Sequence, residues 1–452
     1  MRYGVVAIVG RVNVGKSTLF NRLVGRRTAI VEGEPGVTRD RVYGICEWQG
    51  NYFTLIDTGG LFPPFLDSVT EQVEKQVDLA INEADLILFV VDVVEGITPA
   101  EEEIAEKLRK ANKPVIIVGN KCDIKRKRWK VTEGELHSLG GREIIYVSAL
   151  KGEGIGELLD RIVSYLPEEA EIPITGEQIK VAIVGAPNVG KSSLLNAILQ
   201  EERVIVDKTP GTTRDAIDTP FRWKDTDFLL IDTAGIKRKS KLQSLVEYFA
   251  LVRAMKAIQR ADIAFLVLDA SLGVRRADKR VAGYVEDAYK GCIIVANKWD
   301  LIREGHTSKV KKAFIKVVRE EMPFLSFAPV VFTSALKEEG IYELLDKTIE
   351  VYQNYSTPLN LEEIEPIIRE AVERNPAREG KKQLKLYEIE SDGAKPPSLK
   401  FYVNIPDLAD DAYLRYIENY LRSFRYLEGT PIRFKLLRRK KKALLKQKGE
   451  IQ

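Results

Sequence analysis

The sequence predicts an α/β fold built twice in tandem, each copy a mostly parallel sheet with helices on both faces, followed by a smaller α+β domain. Three observations predict it. The octapeptide GRVNVGKS at Gly10–Ser17 returns as GAPNVGKS at Gly185–Ser192. Each copy is entered from a short apolar run, Val5–Val9 or Lys180–Val184, and left into a helical stretch, Thr18–Val24 or Ser193–Leu199. An offset of 175 residues relates Gly10 to Gly185, Pro35 to Pro210 and Asp57 to Asp232; it drifts to 177 at Asn120 and Asn297 and to 186 at Ser148 and Ser334. Insertions that come so late in the second copy belong in its loops.

Composition narrows the class. At 452 residues the chain exceeds what one core supports, and 44% hydrophobic with 30% charged residues describes a soluble globular protein. No apolar run approaches the roughly 20 residues of a membrane span, which argues against integral membrane association. The N-terminus enters the first strand directly, leaving no signal peptide and predicting a cytoplasmic protein. Cys46, Cys122 and Cys292 are scattered, and His137 and His306 lack partnering motifs, against a disulfide scaffold, a zinc site or histidine catalysis. A net charge of only +4 makes any basic character local.

The octapeptides fit G-x-x-x-x-G-K-[ST], where Gly10 and Gly15, or Gly185 and Gly190, let backbone N–H groups curl around nucleotide phosphates. Lys16 and Lys191 reach the β and γ phosphates, and Ser17 and Ser192 hold Mg²⁺ through their hydroxyls. The following helices, with Thr18 and Ser193 in the first turn, point their positive ends at the anion. Behind them come Pro35–Asp40 and Pro210–Asp215, in which Thr38 and Thr213 are either a second hydroxyl on Mg²⁺ or ordinary turn residues. Asp57-Thr-Gly-Gly60 and Asp232-Thr-Ala-Gly235 put a carboxylate at a strand end as a ligand to metal-bound water, and Gly60 and Gly235 offer a backbone N–H to the γ-phosphate. Leu61 and Ile236 follow, both apolar, so neither copy has a water-orienting glutamine there.

Asn120-Lys121-Cys-Asp123 and Asn297-Lys298-Trp-Asp300 choose the base. A carboxylate accepts from N1–H and the N2 amine of guanine, whereas adenine would leave that acceptor unpaired. Ser148-Ala149 and Ser334-Ala335 close each copy where a backbone N–H can meet guanine O6. Two guanine-nucleotide sites follow, taking GTP or GDP with Mg²⁺.

In this order the boxes resemble the translation-factor class of small GTPases, and two copies followed by a short basic domain resemble the Der (EngA) family over essentially the whole chain. The resemblance implies two P-loop GTPase domains, a C-terminal KH-like domain, and a switch that hydrolyses GTP while acting in assembly of the large ribosomal subunit through nucleotide-dependent binding to ribosomal RNA. It also implies potassium stimulation, because Asn13 and Asn188 match a phosphate-loop asparagine that serves related GTPases as a monovalent-cation ligand.

The expected domains are residues 1–166, an acidic linker at 167–178, residues 179–355 and residues 356–452, in a chain expected to be monomeric. In the third domain the order is helix Leu361–Arg374, strand Leu384–Glu390, a turn at Asp392-Gly393, strand Leu399–Ile405, helix Asp410–Phe424 and strand Ile432–Leu436. That αββαβ order suits a KH-like fold, but the G-x-x-G loop with which KH modules clamp RNA is missing. Basic runs stand at Lys125–Lys130, Lys237–Lys241 and Arg433–Lys448, the last with nine basic residues and no acid. Such a tail binds phosphodiester or acidic lipid. No amphipathic helix with a large apolar face accompanies it, which favours RNA over a nucleotide-gated adaptor for protein partners or an acidic membrane surface.

Overall fold

Strands that read as continuous apolar runs must be covered on both faces, and the repeat's runs are covered in this way in the computed structural model of the chain. The structure describes residues 4–24, 43–58, 78, 81, 84–111, 113–124, 129–167, 178–200, 205–206, 218–233, 243–302, 308–380, 382–424 and 427–438. The chain divides into two compact units, residues 1–175 with 240–259, and residues 176–239 with 260–452.

In the first unit β1 (Val5–Val9), β2 (Tyr43–Trp48), β3 (Asn51–Asp57), β4 (Leu86–Asp92), β5 (Val115–Asn120) and β6 (Glu143–Val147) form one sheet in the order β2-β3-β1-β4-β5-β6. Only β2 runs antiparallel, against β3. Every residue of β1, β4 and β5 is buried, as strands sandwiched between helices require. The helix Ile155–Tyr165 supplies one cover, burying Leu158, Leu159 and Ile162 at the spacing of a single helical face. β1 lies between β3 and β4, so the strand order reverses beside it, and a crevice opens there at the carboxyl ends of the strands.

The second unit repeats the plan with β7 (Ile179–Val184), β8 (Ile205–Val206), β9 (Thr219–Trp223), β10 (Thr226–Ile231), β11 (Ile263–Asp269), β12 (Gly291–Asn297) and β13 (Val330–Phe332), in the order β13-β12-β11-β7-β10-β9-β8. The short β8 adds a seventh strand at the edge. After a two-residue ladder of β14 (Arg378–Glu379) and β15 (Lys382–Gln383), β16 (Leu386–Ser391), β17 (Ser398–Val403) and β18 (Arg433–Arg438) make a separate sheet. β16 pairs antiparallel and β18 parallel with β17. The helices Leu361–Arg374 and Asp411–Phe424 share its core through Ile364, Ile368, Leu399, Phe401, Ile417 and Leu421. This is the expected αββαβ order.

The strand expected at Ile432–Leu436 is β18, Arg433–Arg438, so Arg433, Lys435 and Arg438 of the basic run lie in the sheet and not in a tail. Arg433 is buried with its guanidinium 5.4 Å from the centre of the Tyr289 ring, and Lys435 pairs with Asp392 at 2.6 Å. Alternation decides it: Phe434 and Leu436 pack into the core, so the residues between them face the other way with their own partners.

Within the second unit Gly429 joins this sheet region to the β12–β13 edge. Its N–H donates to Phe327 O and its carbonyl accepts from Cys292 N–H, both at 2.8 Å. Its φ of +72° suits glycine, and a Cβ there would lie 2.3 Å from Val351 Cγ2. Among the described residues no helix is long and apolar enough to cross a membrane.

Candidate nucleotide sites

The loop between β1 and the helix Lys16–Val24 lies at the reversal point of the first sheet, and its counterpart leads from β7 into the helix Lys191–Gln200. Both helices start at the lysine, two residues before the sequence suggests, because the first helical bond, Leu19 N–H to Gly15 O at 2.9 Å or Leu194 N–H to Gly190 O at 2.9 Å, already closes over it. Ser17, Thr18, Ser192 and Ser193 therefore sit exposed in the first turns, where a helix's N–H groups have no carbonyl partner within the helix. Asn13 and Asn188, also exposed, take left-handed φ values of 68° and 65°, curling successive backbone groups into an anion-binding concavity.

Each loop lysine folds back on its own loop. Lys16 Nζ donates to Gly10 O at 2.8 Å and Arg11 O at 2.7 Å, and Lys191 Nζ to Gly185 O at 2.9 Å and Ala186 O at 2.7 Å. Burial pushes both ammonium groups down to about 8; a polyphosphate would restore the charged form.

Ser17 Oγ donates to Asp57 Oδ2 at 2.6 Å, at the end of β3. This sets a hydroxyl and a buried carboxylate side by side at the loop, the hard oxygen donors that Mg²⁺ takes alongside phosphate and water, so the residues fit the ion. The second copy differs. Asp232 takes φ 54°, and its N–H donates to Asp218 Oδ1 at 3.0 Å, with Asp218 itself paired to Arg260.

The base-recognition boxes are built alike. Asn120 Nδ2 donates to Val14 O at 2.9 Å while Asn120 Oδ1 accepts from Ala149 N–H at 3.0 Å; Asn297 does the same with Val189 O at 3.0 Å and Ala335 N–H at 3.1 Å. One carboxamide thus ties the phosphate loop to the closing box. Gly15 and Gly190 make room for it: at φ +96° and +98°, a Cβ on either would lie 2.3 Å from that asparagine's Nδ2. The Ala149 and Ala335 N–H groups, in the boxes where the sequence expects a donor for guanine O6, are in this arrangement engaged by the asparagine.

The carboxylates of Asp123 and Asp300 are fixed by serines. Ser334 Oγ donates to Asp300 Oδ1 at 2.6 Å and accepts from Lys337 N–H at 3.3 Å. Ser148 Oγ accepts from Lys151 N–H at 3.1 Å, which turns its own proton toward Asp123. That hydrogen bond, helped by the Lys151 ammonium 3.4 Å away, holds the Asp123 carboxyl below the usual carboxylate range. An ionised acceptor is what two guanine donors require.

Asp92 and Asp269 were missed by sequence reasoning. Lys298 Nζ donates to Asn188 O at 2.8 Å and to Asp269 Oδ2 at 2.6 Å, so the box lysine is clamped between phosphate loop and β11. Lys121 pairs likewise with the fully buried Asp92. The signal was present, since the two aspartates are 177 residues apart, in register with Asn120 and Asn297. Thr38, Thr213, Gly60 and Gly235 lie outside the described residues, as do Lys125–Arg128 and Lys237–Lys241.

With this geometry, comparison with known proteins finds two matches to the family described as 50S ribosome-binding GTPase, at residues 5–121 and 180–298. A third segment, 359–436, matches the KH-domain-like C-terminal domain of EngA bacterial GTPase enzymes. The chain is 46% identical over 441 residues to GTPase Der of Pelotomaculum thermopropionicum, covering 97% of this chain and 99% of that one. It is 47% identical over 433 residues to GTPase Der of Thermoanaerobacter sp. strain X514, covering 96% and 98%.

Proposed function

The chain belongs to the Der (EngA) family of GTPases, and with GTP hydrolysis as the premise we propose that nucleotide state at its two sites controls docking on ribosomal RNA during assembly of the large ribosomal subunit. GTP and GDP bind with Mg²⁺. Ser17, Asp57 and Thr38, and Ser192, Asp232 and Thr213, are the residues that would hold the ion, which neutralises charge on the β and γ oxygens. Lys16 and Lys191 bind those oxygens, and the N–H groups of Gly60 and Gly235 register whether the γ-phosphate is present. Asp123 and Asp300 select guanine, with Asn120, Lys121, Asn297 and Lys298 holding each box against its phosphate loop. The serine-aimed carboxylates, Ser148 on Asp123 and Ser334 on Asp300, are the observation that carries this assignment.

Hydrolysis needs charge stabilisation of the kind an arginine finger supplies in other GTPases. We assign it to K⁺ held at Asn13 and Asn188, whose left-handed backbone leaves both side chains exposed beside the phosphate loop. The domains are residues 1–166, a linker at 167–178, 179–355 and 356–452, in a cytoplasmic monomer. RNA contact runs through basic residues from Arg438 onward and is aimed at phosphates, because the third domain has no base-clamping G-x-x-G loop.

Cosedimentation with purified ribosomal subunits or acidic liposomes at matched salt, with GDP or a non-hydrolysable GTP analogue, tests the reading. The expected result is recovery with the large subunit in one nucleotide state. Recovery with liposomes but not subunits would refute it in favour of a membrane adaptor.

A further inference from the structure

The two nucleotide loops are anchored differently. Both copies carry a buried acid as the third residue of the helix after the fourth long strand: Glu101 in Pro99–Lys110 and Asp278 in Arg276–Asp287. Each is fully buried, and a buried carboxylate needs a cationic partner. In the second copy that partner comes from the helix itself, Arg275 at its N-cap, with Nε 3.2 Å from Asp278 Oδ2; the phosphate-loop position after Gly185 is Ala186. In the first copy it comes from the loop. Arg11 Nε donates to Glu101 Oε1 at 2.8 Å and Arg11 Nη2 to Glu95 Oε2 at 2.5 Å. The other oxygen of Glu101 accepts from Thr98 N–H at 3.0 Å and caps the helix.

We propose that Arg11 is a positioning residue of the first nucleotide site, tethering its phosphate loop to the helix Pro99–Lys110 through Glu101, a link for which the second site has no counterpart. The carbonyl of Arg11 is one of the two that hold the Lys16 ammonium, so fixing the Arg11 side chain fixes the peptide from which Lys16 reaches phosphate. A loop held in its binding conformation loses less freedom when the ligand arrives. The inference rests on the reading of Gly10–Ser17 as a nucleotide site.

The test uses the full chain with the second site disabled by Lys191→Ala and follows binding and release of fluorescent GDP, with denaturation midpoints measured in parallel. Arg11→Met should release GDP about tenfold faster and bind it about tenfold more weakly, the effect of losing a charge-assisted anchor. Arg11→Lys, which offers one bond in place of a fork, should recover part of this. Arg11→Met combined with Glu101→Gln removes the uncompensated buried charge, so it should regain the lost denaturation midpoint but not the lost GDP affinity. In a Lys16→Ala background Arg11→Met should leave second-site affinity unchanged. The proposal is overturned if Arg11→Met matches its parent, or if the double variant regains affinity along with stability, which would make the pair charge compensation alone. A parent with Arg11 intact that fails to bind GDP would overturn the nucleotide-site reading itself, and the tether with it.

Discussion

Replacing Gly15 by alanine should separate phosphate binding from base binding in one site while sparing the other. The new Cβ would lie 2.3 Å from Asn120 Nδ2, closer than carbon and nitrogen can approach, so the carboxamide must leave its bridge between Val14 O and Ala149 N–H. Two hydrogen bonds are lost at roughly 0.5 to 1.5 kcal/mol each. Holding alanine at φ +96° costs on the order of 1 to 3 kcal/mol more. A loss of about 3 kcal/mol weakens nucleotide binding roughly a hundredfold. Gly190→Ala meets Asn297 at the same 2.3 Å and should do the same to the second site. Two-site calorimetric titration with GDP resolves the outcome: each variant keeps one site at parental affinity and loses the other. Isotherms for both variants within threefold of the parent would show that the asparagine bridge does not couple loop to base.

Because burial lowers Lys16 and Lys191 to about 8 in the free protein, both are partly neutral at pH 8.5, and phosphate raises them again; GDP binding at that pH should take up protons, whereas at pH 7 it should not. Calorimetry in two buffers of different ionisation enthalpy measures the uptake, and its absence would contradict the lysine assignment. Removing residues after Arg438 deletes six basic residues and leaves β18 whole, so the slope of log affinity against log salt for ribosomal subunits should fall by up to roughly 4; an unchanged slope would make the tail a bystander. Turnover should be faster in potassium than in sodium buffer and lose that preference on Asn13→Ala and Asn188→Ala, and equal rates in the two salts for the parent would refute the cation role.

The repeat made most of the two nucleotide sites legible, since a motif in constant register is read twice, and the strands feeding it are apolar enough to be recognised by run length alone. What escaped was set by packing. Asp92 and Asp269 end apolar strands, where an acid reads as a strand stop, and only the folded sheet brings them to Lys121 and Lys298. Arg11 occupies a variable position of the loop motif, and nothing local reveals that its partner is ninety residues away at Glu101. β2 and β9 alternate too weakly to be found, and they are held by antiparallel pairing to β3 and β10. Arg433 and Lys435 carry two signals, the alternation with Phe434 and Leu436 that reads as the strand Ile432–Leu436 and the charge that reads as part of a basic run, and the fold follows the alternation.

Nucleotide titration of the parent, Asp123→Asn and Asp300→Asn tests most directly whether each aspartate chooses guanine at its own site. The parent should bind GTP at two sites and exclude ATP, and each variant should exchange one guanine site for a xanthine site, because an amide donates where the carboxylate accepted. Equal affinity of the parent for ATP and GTP, or variants that keep both guanine sites, would contradict the account.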